Sequence, residues 1–182
     1  EVLLMVHLEG APMTAQRATV MILAVYVGLI VTSSLQALSP WPIGYLPTPE
    51  VALLVVLYLG LGGRGTAPGH VAVALVIGYL ADLFAGSPKG LESLTLGVAM
   101  VLARAASSRL DVATPWHTMV IALVATLAHG LLQLAISSSL YAGDAAAALR
   151  LVPTTAITTA LIAPLAFRWL GRLDRRLQPD PA

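Results

Sequence analysis

The chain contains no cysteine and no asparagine, and only one of its ten basic residues is a lysine. Without cysteine there is no disulfide, no thiolate nucleophile and no cysteine-ligated metal. Without asparagine there is no acceptor for N-glycosylation. Charge is also scarce, because 10% of the residues are charged and the formal net charge is +1. The sequence therefore offers no basic surface of the kind that attracts nucleic acid, and none is expected as a partner.

Apolar residues are abundant instead. They make up 58% of the 182 residues, and the mean hydropathy is +0.86. A soluble domain has about 45–50% apolar and about 25% charged residues. So few charges exclude a soluble globular enzyme, and so hydrophobic a chain is not disordered. The composition predicts an integral membrane protein.

Six continuously apolar stretches are separated by breaks rich in proline, glycine or charge. A membrane-crossing helix needs about 20 residues, so we expect the short second stretch to lengthen backward through Pro47 and Pro49. Strands of a membrane barrel would alternate in polarity instead. We predict an all-α bundle of six transmembrane helices in one domain, residues 18–170. A leader (1–17, with Met13 as an alternative start) and a basic tail (171–182) flank it. The stretches are residues 18–38, 51–61, 69–85, 91–106, 116–140 and 151–170.

The few basic residues test this count, because arginine and lysine favour the cytoplasmic side of short loops. If all six stretches cross and the leader is inside, only Lys89 and Arg150 lie outside. Both termini are then cytoplasmic. The C-terminal cluster is interpreted as a topology anchor that contacts anionic lipid, with a cytoplasmic protein contact as the alternative. The residues placed inside are Arg17, Arg64, Arg104, Arg109, Arg168, Arg172, Arg175 and Arg176.

An ionisable side chain within an apolar stretch costs free energy in the membrane, so each one is a candidate functional residue. Asp82 ends the third stretch. Its carboxylate either orders the turn into the fourth helix by accepting backbone N–H bonds or takes part in proton or ligand binding.

A polar stripe lies on the fifth stretch, because His129, Gln133 and Ser137 are spaced four apart and share one helix face. The stripe forms interhelical hydrogen bonds or lines a small-ligand pocket. One histidine and one glutamine do not make a metal site. No nucleophile stands beside a base, and no pair of carboxylates has catalytic spacing. We therefore expect no enzyme activity, catalytic residue, cofactor or metal.

Small residues recur four apart, as at Gly86 and Gly90 and at Ala99 and Ala103. Small side chains let helix backbones approach closely and favour association in lipid. This spacing predicts a tightly packed bundle or a surface for a partner helix.

The turn after the third stretch resembles the MreD family of rod shape-determining membrane proteins. The pattern is an Asp-Leu pair, a glycine three residues on, another glycine four later, and then a leucine: Asp82, Leu83, Gly86, Gly90 and Leu94. The surroundings of the second stretch are also similar to the family, with Pro47, Pro49 and the acidic Glu50 before it, Tyr58 within it and Arg64 after it. Ala85 departs from the family, many members of which have serine there. The resemblance covers about residues 14–176.

The resemblance implies a non-enzymatic subunit of the bacterial inner membrane that helps maintain rod cell shape. Its partner would be the bitopic protein MreC. Through it, the chain would help connect MreB filaments to the RodA glycosyltransferase and a penicillin-binding transpeptidase. The implied fold is similar to the S components of energy-coupling-factor transporters. A substrate-binding subunit of a vitamin transporter is therefore the alternative function.

Overall fold

The computed structural model describes residues 14–38, 48–62, 67–85, 89–107, 114–140 and 145–177. Within these ranges the chain forms six α-helices and no strand, so the predicted all-α fold is confirmed. Each apolar stretch is a helix. The helices are α1 (Ala15–Leu38), α2 (Val51–Leu61), α3 (Ala67–Ala85), α4 (Leu91–Ala106), α5 (Pro115–Leu140) and α6 (Ala145–Arg176).

Three of the described helices are long and apolar enough to cross a membrane: Ala15–Gln36 in α1, Pro115–Ser139 in α5 and Leu149–Arg176 in α6. Helices α2, α3 and α4 are shorter. The 11 residues of α2 rise about 16 Å, against a hydrocarbon core of about 30 Å. The chain is a helical membrane protein, while six separate crossings stay a prediction.

The expected backward lengthening of α2 through Pro49 is wrong. The helix begins at Val51, because Glu50 has a non-helical backbone with ψ at 82°. The Glu50 N–H donates to Thr159 Oγ1 of α6 at 3.0 Å, which turns the chain away from a helical path. Pro47 lies outside the described residues.

Helix α2 forms the centre of the core. Its sequence is apolar on every side, as expected of a helix surrounded by others. It packs against α1, α3, α4 and α6. Its Leu53, Val56 and Leu59 join Met21 of α1 and Met100 of α4 in one buried cluster.

Four of the remaining helices pair as two hairpins, α3 with α4 and α5 with α6, and α1 packs against α2 and α3. Gly78 makes the first pairing close, since a Cβ at that position would lie 2.4 Å from the Cα of Ser93. The outward faces of α1 and α3 to α6 carry many exposed large apolar side chains, among them Leu23, Val76, Leu102 and Leu165. Such a surface suits hydrocarbon rather than water.

Helix α6 is longer than the sixth apolar stretch. It continues to Arg176 and includes Pro153 and Pro164. The start of the predicted basic tail is therefore helical. Its arginines extend from the bundle on the last turns of α6, where positive charge is favourable near a helix C-terminus.

Candidate functional site

The polar stripe of α5 faces two carboxylates from other helices. His129 Nε2 lies 3.2 Å from Glu92 Oε1 and 3.8 Å from Glu50 Oε2. The Gln133 side-chain amide donates to Glu92 Oε2 and lies 3.2 Å from the His129 ring. Glu50, Glu92, His129 and Gln133 are called the polar cluster below. Ser137 is not part of it, because its hydroxyl donates to the Leu134 carbonyl at 3.1 Å.

Local structure explains where the two carboxylates stand. Glu50 is the N-cap of α2, and Glu92 lies in the first turn of α4. Carboxylates are favourable near helix N-termini, where unpaired backbone N–H groups leave a partial positive charge. Because both carboxylates approach the same His129 ring, the two helices begin at the same end of the bundle. His129 stands between them with its side chain 2% exposed.

Two buried atoms of the polar cluster lack a hydrogen-bond partner among the described residues. They are Glu50 Oε2 and His129 Nδ1. Buried polar atoms are rarely left unpaired, because the loss of water costs about 1–3 kcal/mol. Unpaired atoms of this kind mark a site that a further group can complete.

A cavity of about 300 Å³ lies beside the polar cluster, mainly between α5 and α6. Its polar side chains come from Glu50, Thr126, Gln133, Ser137 and Thr155. It can accommodate a small ligand. Among the described residues, no three histidine or acidic side chains are placed to hold a metal ion.

The spacing of residues along the sequence does not connect Glu50 and Glu92 with the stripe. Glu50 stood only in a motif that precedes α2, and Glu92 was given no role. A usable signal was present, since both lie at helix starts that the predicted topology puts on one side of the membrane. His129 and Gln133 lie toward that side on α5.

Asp82 lies at the nearby α3/α4 turn, where its buried carboxylate accepts backbone N–H bonds. The donors are Gly90 at 2.8 Å and Glu92 at 3.0 Å. Gly90 has a φ of 100°, a left-handed conformation that favours glycine. Leu83 and Leu94 are more than half exposed. Gly86 lies outside the described residues.

The opposite end of the bundle is held by a buried ion pair. Arg17 Nε lies 2.7 Å from Asp174 Oδ1, and the Tyr58 hydroxyl donates to Asp174 Oδ2 at 3.3 Å. This contact joins the start of α1, the end of α2 and the end of α6. Of the predicted topology anchors, Arg168, Arg172, Arg175 and Arg176 are exposed on α6, and Arg104 lies in the last turn of α4. Arg64 and Arg109 lie outside the described residues.

An apolar groove of about 280 Å³ separates α4 from α5, with α2 at its base. Small side chains line much of it, including Ala99, Ala103 and Ala106 of α4 and Ala125 and Ala128 of α5. The alanine spacing of the fourth stretch thus lies partly on an open face. We call this feature the α4/α5 groove.

The sequence model of a family described as rod shape-determining protein MreD matches residues 16–173. No curated protein and no solved structure matches the chain. The similarity to transporter S components is therefore untested.

Proposed function

The chain belongs to the MreD family of rod shape-determining proteins, and on that premise we propose that it is a membrane scaffold that binds an MreC-like bitopic protein. The family match supports a role in cell shape within the rod complex. Through its partner the scaffold helps couple MreB filaments to RodA and a penicillin-binding transpeptidase. It resides in the bacterial inner membrane, crosses it six times and keeps both termini in the cytoplasm.

The α4/α5 groove is the observation that favours this function. A bitopic partner has one membrane helix, and that helix needs an apolar surface with closely approachable backbones. The groove meets both requirements through its alanines and through the exposed Val98, Leu102 and Val124 beside them. We place the partner helix against this groove.

A substitution that fills the groove tests the placement. Ala106 lines the groove, whereas the neighbouring Ala105 is exposed and does not line it. We expect Ala106→Leu to reduce co-purification of MreC from membranes by about tenfold, the effect of a lost packing contact worth about 1.4 kcal/mol. Ala105→Leu adds the same side chain to the same turn and serves as the control.

Ala128→Leu fills the groove from α5 and should have the same effect as Ala106→Leu. Each variant is first checked for an unchanged melting temperature, so that a loss of binding is not a loss of fold. If MreC co-purifies equally with both groove variants, the partner helix does not lie in this groove. If it co-purifies with neither variant nor with the native chain, the scaffold function itself is wrong.

The cavity beside the polar cluster favours a second candidate function, a substrate-binding subunit of an energy-coupling-factor transporter. That function needs a small molecule held by several convergent polar groups. Mass spectrometry of the purified chain should then detect a vitamin-like compound in stoichiometric amount. A sample without such a compound contradicts this second function and leaves the scaffold function intact.

A further inference from the structure

We propose that the cavity between α5 and α6 binds a primary ammonium group and that Glu50 provides its counter-charge. No residue lines both this cavity and the α4/α5 groove. His129 of the polar cluster lines the groove, so cavity-wall variants at Ser137 and Thr155, which do not line it, test this site separately.

The hydrogen-bonding groups of the cavity wall favour a ligand that donates hydrogen bonds. The hydroxyls of Thr126 and Ser137 donate to backbone carbonyls of α5, at 2.7 and 3.1 Å. The Gln133 amide nitrogen donates to Glu92. With these hydrogens engaged, the two hydroxyl oxygens and the Gln133 carbonyl oxygen can act toward a ligand only as acceptors, and the Thr155 hydroxyl in the same wall can accept as well.

Charge points to a cation. The polar cluster has two carboxylates and one imidazole, and none of the described residues that line the cavity is a lysine or an arginine. Within the polar cluster, the two carboxyl groups outnumber the single imidazole of His129, which favours a cationic ligand over an anionic one. Glu50 lines the cavity with a side chain that is 26% exposed, and its Oε2, 3.8 Å from His129 Nε2, accepts no hydrogen bond among the described residues. An ammonium N–H near Glu50 would complete the site.

The size and walls of the cavity narrow the cation to a small amine. A volume of about 300 Å³ lies at the lower limit of ligand pockets. Leu151 and Val152 provide apolar wall for the methylene groups that carry the amine. A quaternary ammonium fits less well, because it has no N–H to donate to the acceptor-rich wall.

One experiment compares lipids that differ only in this group. The full-length protein is placed in nanodiscs that contain equal amounts of phosphatidylethanolamine and phosphatidylcholine, and retained lipid is measured by native mass spectrometry. Both headgroups carry the same net charge, but only ethanolamine has N–H donors. We expect about tenfold preferential retention of phosphatidylethanolamine, as for a hydrogen bond between charged groups.

A second arm identifies a soluble source of the same chemistry. The protein in detergent without phosphatidylethanolamine is titrated with ethanolamine, with tetramethylammonium as the donor-free control, and the melting temperature is followed. If ethanolamine raises the melting temperature, tetramethylammonium does not, and neither phospholipid is retained preferentially, the ligand is a soluble amine. A preference for phosphatidylethanolamine indicates a lipid headgroup. The proposal is overturned when neither arm shows a preference for the primary amine.

Matched variants connect the binding to the cavity. Glu50→Gln removes the charge at nearly constant size and should abolish the preference. Thr155→Val and Ser137→Ala change the cavity wall and should weaken it severalfold, whereas Thr154→Val and Ser138→Ala change exposed neighbours that do not line the cavity. If Glu50→Gln does not fold, the comparison of Thr155→Val with Thr154→Val and of Ser137→Ala with Ser138→Ala tests the proposed site. A preference that survives in all cavity variants contradicts the proposed site.

Discussion

A single buried carboxylate organises the α3/α4 turn. The first backbone N–H groups of a helix have no partner within the helix. Asp82, which is 2% exposed, reaches from the end of α3 and accepts the N–H groups of Glu92 and Ser93 in the first turn of α4 and that of the N-cap residue Gly90. The Asp82 carboxylate thus caps a helix other than its own. This is the geometry that the first of the two interpretations of Asp82 describes.

Removal of this cap should destabilise the bundle. We expect Asp82→Ala to lower the free energy of unfolding by about 1–2 kcal/mol, the usual cost of a lost N-cap. Asp82→Asn should lower it less, because the amide oxygen still accepts one N–H bond. Denaturant unfolding in detergent, followed by circular dichroism, measures both. Leu83→Ala, at an exposed neighbour on α3, is the control, and equal stability of all three variants would exclude the capping role.

Single residues also show where prediction from the sequence stops. The polarity of His129 and Gln133 marked one helix face, because that signal lies within a single apolar stretch. Their carboxylate partners Glu50 and Glu92 are 79 and 37 positions away from His129 in the chain. Only the packing of α2, α4 and α5 brings them together. Local spacing therefore predicted half of the polar cluster.

Pairs of helices set the shape of the bundle through small residues. At Gly78 an added Cβ would meet the Ser93 backbone within 2.4–2.6 Å, and a backbone has little room to move. At Gly97 the same Cβ would meet the flexible end of Leu75 at 3.1 Å. The two glycines lie on opposite sides of the α3/α4 contact. A Cβ added at Gly78 therefore meets a rigid backbone, whereas a Cβ added at Gly97 meets a flexible side chain.

We expect Gly78→Ala to destabilise the protein by about 1–3 kcal/mol, the usual cost of overpacking. Gly97→Ala should cost less than about 1 kcal/mol, because the Leu75 side chain can change its rotamer. Thermal unfolding of the two variants in the same detergent gives the comparison. If Gly97→Ala proves as damaging as Gly78→Ala, the close approach of the α3 and α4 backbones is not what limits stability.

The number and approximate positions of the six helices followed from the sequence because long apolar runs bounded by proline, glycine and charge are strong signals. The start of α2 did not follow. A proline in a first turn is compatible with a helix, so Pro49 gave no warning. The bend lies at Glu50, whose N–H donates to Thr159 Oγ1 of α6. Rules based on neighbouring residues in the sequence do not predict such a tertiary contact.

For the molecule as a whole, the contacts at its two ends show that the helices alternate in direction. Arg17, Tyr58 and Asp174 bring together the start of α1, the end of α2 and the end of α6. Gly60 near the end of α2 packs on Ala103 near the end of α4. The polar cluster and Asp82 join the starts of α2 and α4 and the end of α3 at the opposite end. This alternation favours the predicted placement of the arginines on one side.

The absence of cysteine allows the orientation to be measured without background. Each introduced cysteine is the only thiol of the chain, so a membrane-impermeant maleimide reports its side. In intact spheroplasts we expect Lys89→Cys and Arg150→Cys to react, because both side chains are exposed and the basic-residue rule puts them outside. Arg172→Cys, also exposed, should react only after the membrane is disrupted. Reaction of Lys89→Cys and Arg172→Cys from the same side would contradict alternating crossings. The reverse labelling pattern would retain the alternation and invert the protein, which would place the α5/α6 cavity toward the cytoplasm.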